Sequence, residues 1–315
     1  MTARRIPRSL KWLGAVLAVF AVAAALFVHS FTAAPLAALP PPALDWPVAR
    51  PPPGMSLVRL STGFIRRKAG VAYRGGSLSA PWHSTMTAVL VKHPAGDLLI
   101  DTGFGRQIDG QFATMPWLFR AVSPMEKGIP AADQLAASGY DLGRLKAILL
   151  THAHWDHVSG VPDFPAVPAW LTEEEKRFVE SGSLQTAVAR SVGLERFQTY
   201  AFEGGPYLGF PKSHDVYGDG SVVVVPAFGH TPGSVIIFVT LPTGRRYSFV
   251  GDLAWHRQGI QQREEKPWLT RTLVDGDPAR VRALLQRMSA LQQRFPDLTI
   301  VPAHDADGAL DFPPP

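Results

Sequence analysis

The chain has 315 residues, 46% of them apolar and 18% charged, which supports an ordinary buried core and argues against disorder. The net charge of +5 sits mostly at the N-terminus, where Arg4, Arg5, Arg8 and Lys11 precede the first acidic residue, Asp45; the near-neutral remainder shows no basic stripe for nucleic acid. There is no cysteine, which excludes disulfides, thiolate metal ligands and a cysteine nucleophile, and suits an oxidising compartment.

Residues 12–28 (WLGAVLAVFAVAAALFV) form an unbroken apolar run behind that basic cluster. A charged segment followed by an apolar one is the pattern of an export signal. The run is long for a signal peptide and at the short limit for a membrane span, so residues 1–34 read either as a cleaved signal or as an uncleaved anchor. Both place the rest of the chain across the membrane, on the periplasmic side in a bacterium. Residues 35–54 (PLAALPPPALDWPVARPPPG) read as a stiff, extended linker without a fold of its own. A globular domain is expected over residues 55–312.

Within it, short apolar runs end in polar punctuation. Residues 87–92 and 97–100 read as strands joined by a His-Pro-Ala-Gly turn. Further strands are expected at 145–150, 221–225, 235–240, 247–250 and 298–301, most of them rich in β-branched residues. Thr172 and Glu175 form a capping box opening a helix. Asp277 and Pro278 open another, with Val281, Leu284, Leu285, Met288 and Leu291 on one face. Strands interleaved with helices predict a layered α/β or α+β domain.

The chemistry concentrates after the strand at 145–150, in Thr151-His152-Ala153-His154-Trp155-Asp156-His157. Four potential ligands on one loop at a strand end can converge on a point. Imidazole and carboxylate are the zinc ligands available without thiolate. Three more candidates, His230 in Gly-His-Thr-Pro-Gly, Asp252 and His304, each follow a predicted strand in the same way.

This set resembles the metallo-β-lactamase superfamily, from about Met55 to Asp307. The resemblance implies a four-layer αββα sandwich, here preceded by an N-terminal hydrophobic helix, with the metals at one edge between the sheets. It implies two divalent ions, zinc by the donor set. His152, His154 and His230 would hold the first, Asp156, His157 and His304 the second, and Asp252 would bridge them. Asp101, in Leu-Ile-Asp-Thr-Gly, matches a residue that orients the ligand loop, which is compatible with an Asx-type turn after a strand. The implied reaction is hydrolysis of an acyl carbonyl by water activated between the ions, with Asp156 and Asp252 as the catalytic carboxylates and Asp156 steering a proton to the leaving group.

The family acts on many substrates, so the fold does not choose one. Absence of cysteine removes the β-lactamases with a cysteine ligand, Asp252 argues against the other dizinc β-lactamases, and His154 removes members with glutamate there. The ending Pro302-Ala303-His304-Asp305 resembles the N-acyl homoserine lactone hydrolases, and Gly-His-Thr-Pro-Gly fits both these and glyoxalase II. The expected substrate is a small lactone or ester. Alternatives are a thioester, a β-lactam or a phosphodiester; the non-enzyme alternative is a catalytically inactive, tethered metal-binding domain.

The apolar stretch 104–125, with Phe112, Met115, Trp117, Leu118 and Phe119, reads as a lid, a homodimer contact or plain core. Trp255 and His256 follow Asp252 closely enough to face the site, His256 as a neighbour or surface group. His83, His93 and His214 read as structural or surface residues.

Overall fold

The computed structural model describes residues 8–305. Arg4 and Arg5, and residues 306–312 of the expected domain, lie outside the described residues.

β1 (Ser56–Lys68), β2 (Pro81–Lys92), β3 (Asp97–Ile100), β4 (Met125–Lys127), β5 (Leu145–Leu149), β6 (Ala169–Thr172) and β7 (Phe197–Tyr200) make a seven-stranded sheet in the order β4-β1-β2-β3-β5-β6-β7. β8 (His214–Asp215), β9 (Val222–Pro226), β10 (Val235–Thr240), β11 (Arg246–Gly251) and β12 (Leu298–Pro302) make a second sheet in the order β12-β11-β10-β9-β8. The long ladder is β1 against β2, antiparallel from Ser56 opposite Lys92 to Lys68 opposite Pro81, with a slip between Ser61 and Gly63. β3, β5, β6 and β7 run parallel, as do β11 and β12.

The two sheets face each other across an apolar layer. Leu57, Val89, Val91, Leu98, Ile100, Ala147 and Leu149 on one side meet Val222, Val224, Val235, Ile237, Val239 and Phe249 on the other. Strands covered on both faces should read as continuous apolar runs, which is what residues 98–100, 222–225 and 235–239 show. The outer face of the larger sheet carries the helices Ala131–Ala137, Glu173–Glu180 and Ala187–Val192 among others. The outer face of the smaller sheet carries the 17-residue helix Pro278–Arg294, whose Val281, Leu285, Met288 and Leu291 point inward. Asp277 caps that helix by accepting from the Ala279 and Arg280 amides, each at 3.1 Å. The result is the four-layer αββα sandwich.

The apolar N-terminal segment is a 22-residue helix, Arg8–His29. The proline-rich segment that follows has no regular secondary structure, as its composition predicts, yet it packs on the domain. Leu36, Leu44 and Trp46 lie against the outer core of the smaller sheet. Trp46 meets Phe238 and Phe295 edge-on, with centroids 6.0 and 5.2 Å away. Its indole N–H donates to Thr240 Oγ1 at 3.3 Å. Prolines lower the entropy of the free segment, so docking a few side chains costs less order than it would for a flexible one.

Candidate metal centre

The candidate residues sit at the C-terminal ends of parallel strands: Asp101 after β3, Thr151 to His157 after β5, Asp252 after β11 and His304 after β12. Strand ends gather in that way because parallel neighbours finish at the same edge of their sheet. His230 arrives from the turn between β9 and β10.

All seven expected residues come together, in two groups. Ligand atoms of His152, His154, His230 and Asp252 lie within 4.8 Å of one another, and so do those of Asp156, His157 and His304. Asp252 faces both groups. Its Oδ2 lies 3.5 Å from His230 Nε2, while Oδ1 lies 3.4 Å from His157 Nε2 and 3.0 Å from His304 Nε2. His304 Nε2 is also 3.5 Å from Asp156 Oδ2.

The scaffold fixes the rings from behind. His157 Nδ1 donates to Asp101 Oδ2 at 2.8 Å, His230 Nδ1 to Asp275 Oδ1 at 2.8 Å, and His304 Nδ1 to the Thr85 carbonyl at 2.9 Å. A carboxylate or carbonyl can only accept, so each ring carries a proton on Nδ1, which leaves Nε2 as the nitrogen that faces inward. Asp101 has the left-handed φ of 52° that lets its carboxylate fold back over the loop, where it also accepts from the Thr151 amide (2.8 Å) and hydroxyl (2.7 Å).

Among the described residues, His152 Nε2, His154 Nε2, His157 Nε2 and Asp252 Oδ1 are buried and make no hydrogen bond. Buried polar atoms left unpaired cost free energy, on the order of 1–3 kcal/mol each. These four atoms, spread over both groups, are all lone-pair donors, a set that fits divalent cations.

The electrostatics divide along the same line as the geometry. Burial, reinforced by neighbouring imidazoles, holds His152 and His154 well below the ordinary histidine range. Burial also opposes charge on His157 and His304, but carboxylates outweigh it: Asp101 and Asp252 raise His157, and Asp252 raises His304. Burial disfavours the Asp252 anion too, yet His304 and His157 hold its carboxyl well below the usual range.

Several contributors are invisible as motifs. Glu175, expected as half of a capping box, does receive Thr172 as its cap, with the Thr172 hydroxyl accepting from the Glu175 amide at 3.1 Å. Its fully buried carboxylate goes elsewhere. It accepts from the Ala153 amide (2.7 Å), the Thr231 hydroxyl (2.6 Å) and the Gly233 amide (2.9 Å), tying the His152–His157 loop to the His230 turn. Gly233 is required there: a Cβ would come within 2.3 Å of the Glu175 amide nitrogen and the Thr172 hydroxyl. Lys266, also buried, donates to the Asp252 carbonyl (2.9 Å) and to Asp275 (2.8 Å), so one cation steadies Asp252 and the carboxylate behind His230. Trp255 faces the site as expected, donating from Nε1 to Asp252 Oδ2 at 2.7 Å. The guanidinium of Arg67, from β1, lies 4.9 Å over the Trp255 ring. Burial lowers its pKa and the charges of Asp156 and Asp252 oppose that, which puts Arg67 within their field.

The other histidines stay out of the centre. His256 caps the helix Arg257–Gln261 and lies near Tyr73 and Trp82. His83 stacks on Phe64, His93 on Tyr217 and His214 on Tyr200. The 104–125 stretch splits. Phe112, Met115 and Phe119 pack against the core, the two rings at 5.6 and 5.9 Å from Trp155, whereas Trp117 and Leu118 are exposed.

A family model described as "Metallo-beta-lactamase superfamily" matches residues 86–304. A probable metallo-hydrolase of Mycobacterium tuberculosis is 33% identical over 233 residues, covering 70% of this chain and 74% of that protein. An N-acyl homoserine lactonase of Agrobacterium fabrum is 24% identical over 278 residues, covering 81% and 95%. Among solved structures, an N-acyl homoserine lactone hydrolase with N-hexanoyl-L-homoserine at its catalytic metal centre aligns at TM-score 0.64 and 14% identity, covering 85% of this chain and 98% of that one. A dizinc quorum-quenching lactonase aligns at 0.56 and 17%, covering 80% and 88%. At such identities the structural matches speak for the fold.

Proposed function

Since the chain belongs to the metallo-β-lactamase superfamily, we propose that it is a dinuclear-metal hydrolase that opens lactones or related carboxylic esters. The coarse part is secure: it is a metallo-hydrolase of the lactonase-like branch with a His/Asp metal site. The observation that supports a dinuclear centre is the placement of Asp252, with one oxygen toward each histidine group, and the lactone reading leans on the lactonase relatives.

In this reading His152, His154 and His230 hold one ion, Asp156, His157 and His304 hold the other, and Asp252 serves both. Zinc suits an all-nitrogen-and-oxygen donor set that needs no redox chemistry. Ions held there would supply Lewis acidity and lower the pKa of a bound water toward about 7. The chain's own groups do the rest. Trp255 Nε1 and Lys266 hold Asp252 from two sides, keeping its oxygens aimed at both groups. Asp156, beside His304 at the site's rim, is placed to pass a proton to the departing alkoxide. In this reading Arg67, stacked on Trp255, would receive the carboxylate that forms as the ester opens. Residues 1–34 export or anchor the chain in this account, and residues 55–312 act on the periplasmic side on a small acyl substrate.

The test is a panel of lactones, aryl esters, thioesters, β-lactams and phosphodiesters, run with wild type, Asp252→Ala and His154→Ala. Lactone or ester turnover that both substitutions abolish is the expected result. Turnover confined to thioesters or phosphodiesters would overturn the substrate, and turnover untouched by either substitution would overturn the site.

A further inference from the structure

The apolar N-terminal helix ends at a specific place on the domain. Its segment Trp12–His29 has mean hydropathy 2.2, and none of it is buried among the described residues. At 1.5 Å per residue its 18 residues reach ~27 Å, close to the hydrocarbon thickness of a bilayer. The residues that leave it are held down. Arg74 donates to the carbonyls of Thr32 (2.9 Å) and His29 (3.4 Å), and the Gly75 amide donates to the Phe31 carbonyl (2.8 Å). The Ala34 amide donates to Glu264 at 3.0 Å. Gly75, at φ +79°, admits this approach, since a Cβ there would lie 2.9 Å from Ala33 Cβ.

The same anchoring point touches a second apolar element. Glu265 lies 3.9 Å from Arg74 and also takes an ion pair from Arg271. Arg271 belongs to the helix Trp268–Val274, which leaves Trp268, Leu269 and Leu273 exposed at 51%, 40% and 64%. Glu265 thus links Arg74, which holds the end of one apolar helix, to Arg271 on the other. An exposed tryptophan with two exposed leucines on a short surface helix suits a bilayer-interface contact.

We propose that the face formed by Trp268, Leu269 and Leu273 rests on a lipid bilayer surface, beside the point where the N-terminal helix leaves it. The helix that would span and the helix that would lie flat are pinned to one ion-pair relay, so insertion of the first carries the second to the interface. The metal centre adjoins this surface, because Lys266 and Asp275 flank the helix and hold Asp252 and His230. Granting the hydrolase reading above, acyl substrates dissolved in the bilayer would then reach the centre from the lipid side.

The absence of cysteine makes the test clean. Leu273→Cys and Leu269→Cys, each labelled with an environment-sensitive fluorophore, would be compared with Leu142→Cys in the full chain reconstituted into phosphatidylcholine–phosphatidylglycerol vesicles. Leu142 is exposed and precedes β5, whose other end carries the metal motif. Blue-shifted emission quenched by spin-labelled lipid at positions 269 and 273, but not at 142, is the expected result. Labels at 269 and 273 that read bulk water like 142 would overturn the proposal, as would recovery from cells of a chain cut before Phe31. Ester hydrolysis measured on the same vesicles keeps the two claims apart: lipid contact without turnover counts against the hydrolase reading alone.

Discussion

His152 and His154 stand among other imidazoles, whereas His157 and His304 stand against carboxylates. The first pair is kept neutral by burial and arrives with lone pairs ready for a metal ion. The second pair is biased toward holding protons, which an incoming ion has to displace. If each group holds an ion, as proposed, the two would look alike in ligand type yet differ in how they compete with acid. Asp252 couples them, since its two oxygens are divided between the groups.

The most damaging way to break the comparison is to remove what both halves share. Asp252→Ala should abolish binding of both ions and lower kcat/KM by on the order of 10³-fold or more, ~4 kcal/mol of transition-state stabilisation; metal analysis and steady-state kinetics check it. Glu175→Gln should come next, because an amide cannot accept all three of the donors the carboxylate now takes. It should weaken metal affinity and turnover by about 10–100-fold, and lower stability by about 1–3 kcal/mol in denaturant titration. Glu175→Asp should restore part of the affinity if position rather than charge is what matters.

A finer cut separates the halves. Asp275→Asn loosens His230 in the first group, and Asp101→Asn loosens His157 in the second. Each should cost about 10–100-fold in affinity for one ion and much less for the other. Equal losses at both sites in both variants would erase the distinction. Acid should do the same job without mutation. As pH falls, the second group, with raised histidine pKa values, should lose its ion before the first. In the metal-free protein the sign reverses for stability: the charged His157 and His304 paired with carboxylates stabilise the fold below about pH 6.5, and that contribution is lost as pH rises through their raised values. The smallest effect on the centre should come from Trp46→Ala, which removes a packed ring on the far face of the smaller sheet. It should lower stability by about 1–2 kcal/mol with metal content unchanged.

The candidate ligands were legible in the sequence because they are local. His152 to His157 occupy one loop, and His230, Asp252 and His304 each follow an apolar run that ends abruptly. The strands buried on both faces were readable for the same reason. β1 was not, since Arg59, Arg66, Arg67 and Lys68 interrupt its alternation; its length comes from pairing with β2 along the whole ladder. β6 and β7 are four residues each and exist through parallel neighbours. The groups that brace the centre were hidden differently. Glu175 carried a correct local signal, the cap from Thr172, which masked its tertiary role. Asp275 and Lys266 lie in no motif, and only the fold brings them behind His230 and Asp252. The segment 35–54 was legible as extended chain, but composition does not say what such a chain leans on; Leu36, Leu44 and Trp46 spaced among the prolines were the available sign.

Stepwise reloading of the metal-free protein with zinc, following bound ions by elemental analysis and ester or lactone turnover on the same samples, tests the shared-carboxylate centre most directly. The account predicts saturation at about two ions per chain, with full turnover only after the second, and loss of both features in Asp252→Ala. Full turnover at one ion per chain, or an Asp252→Ala variant that binds two ions and turns over normally, would contradict it.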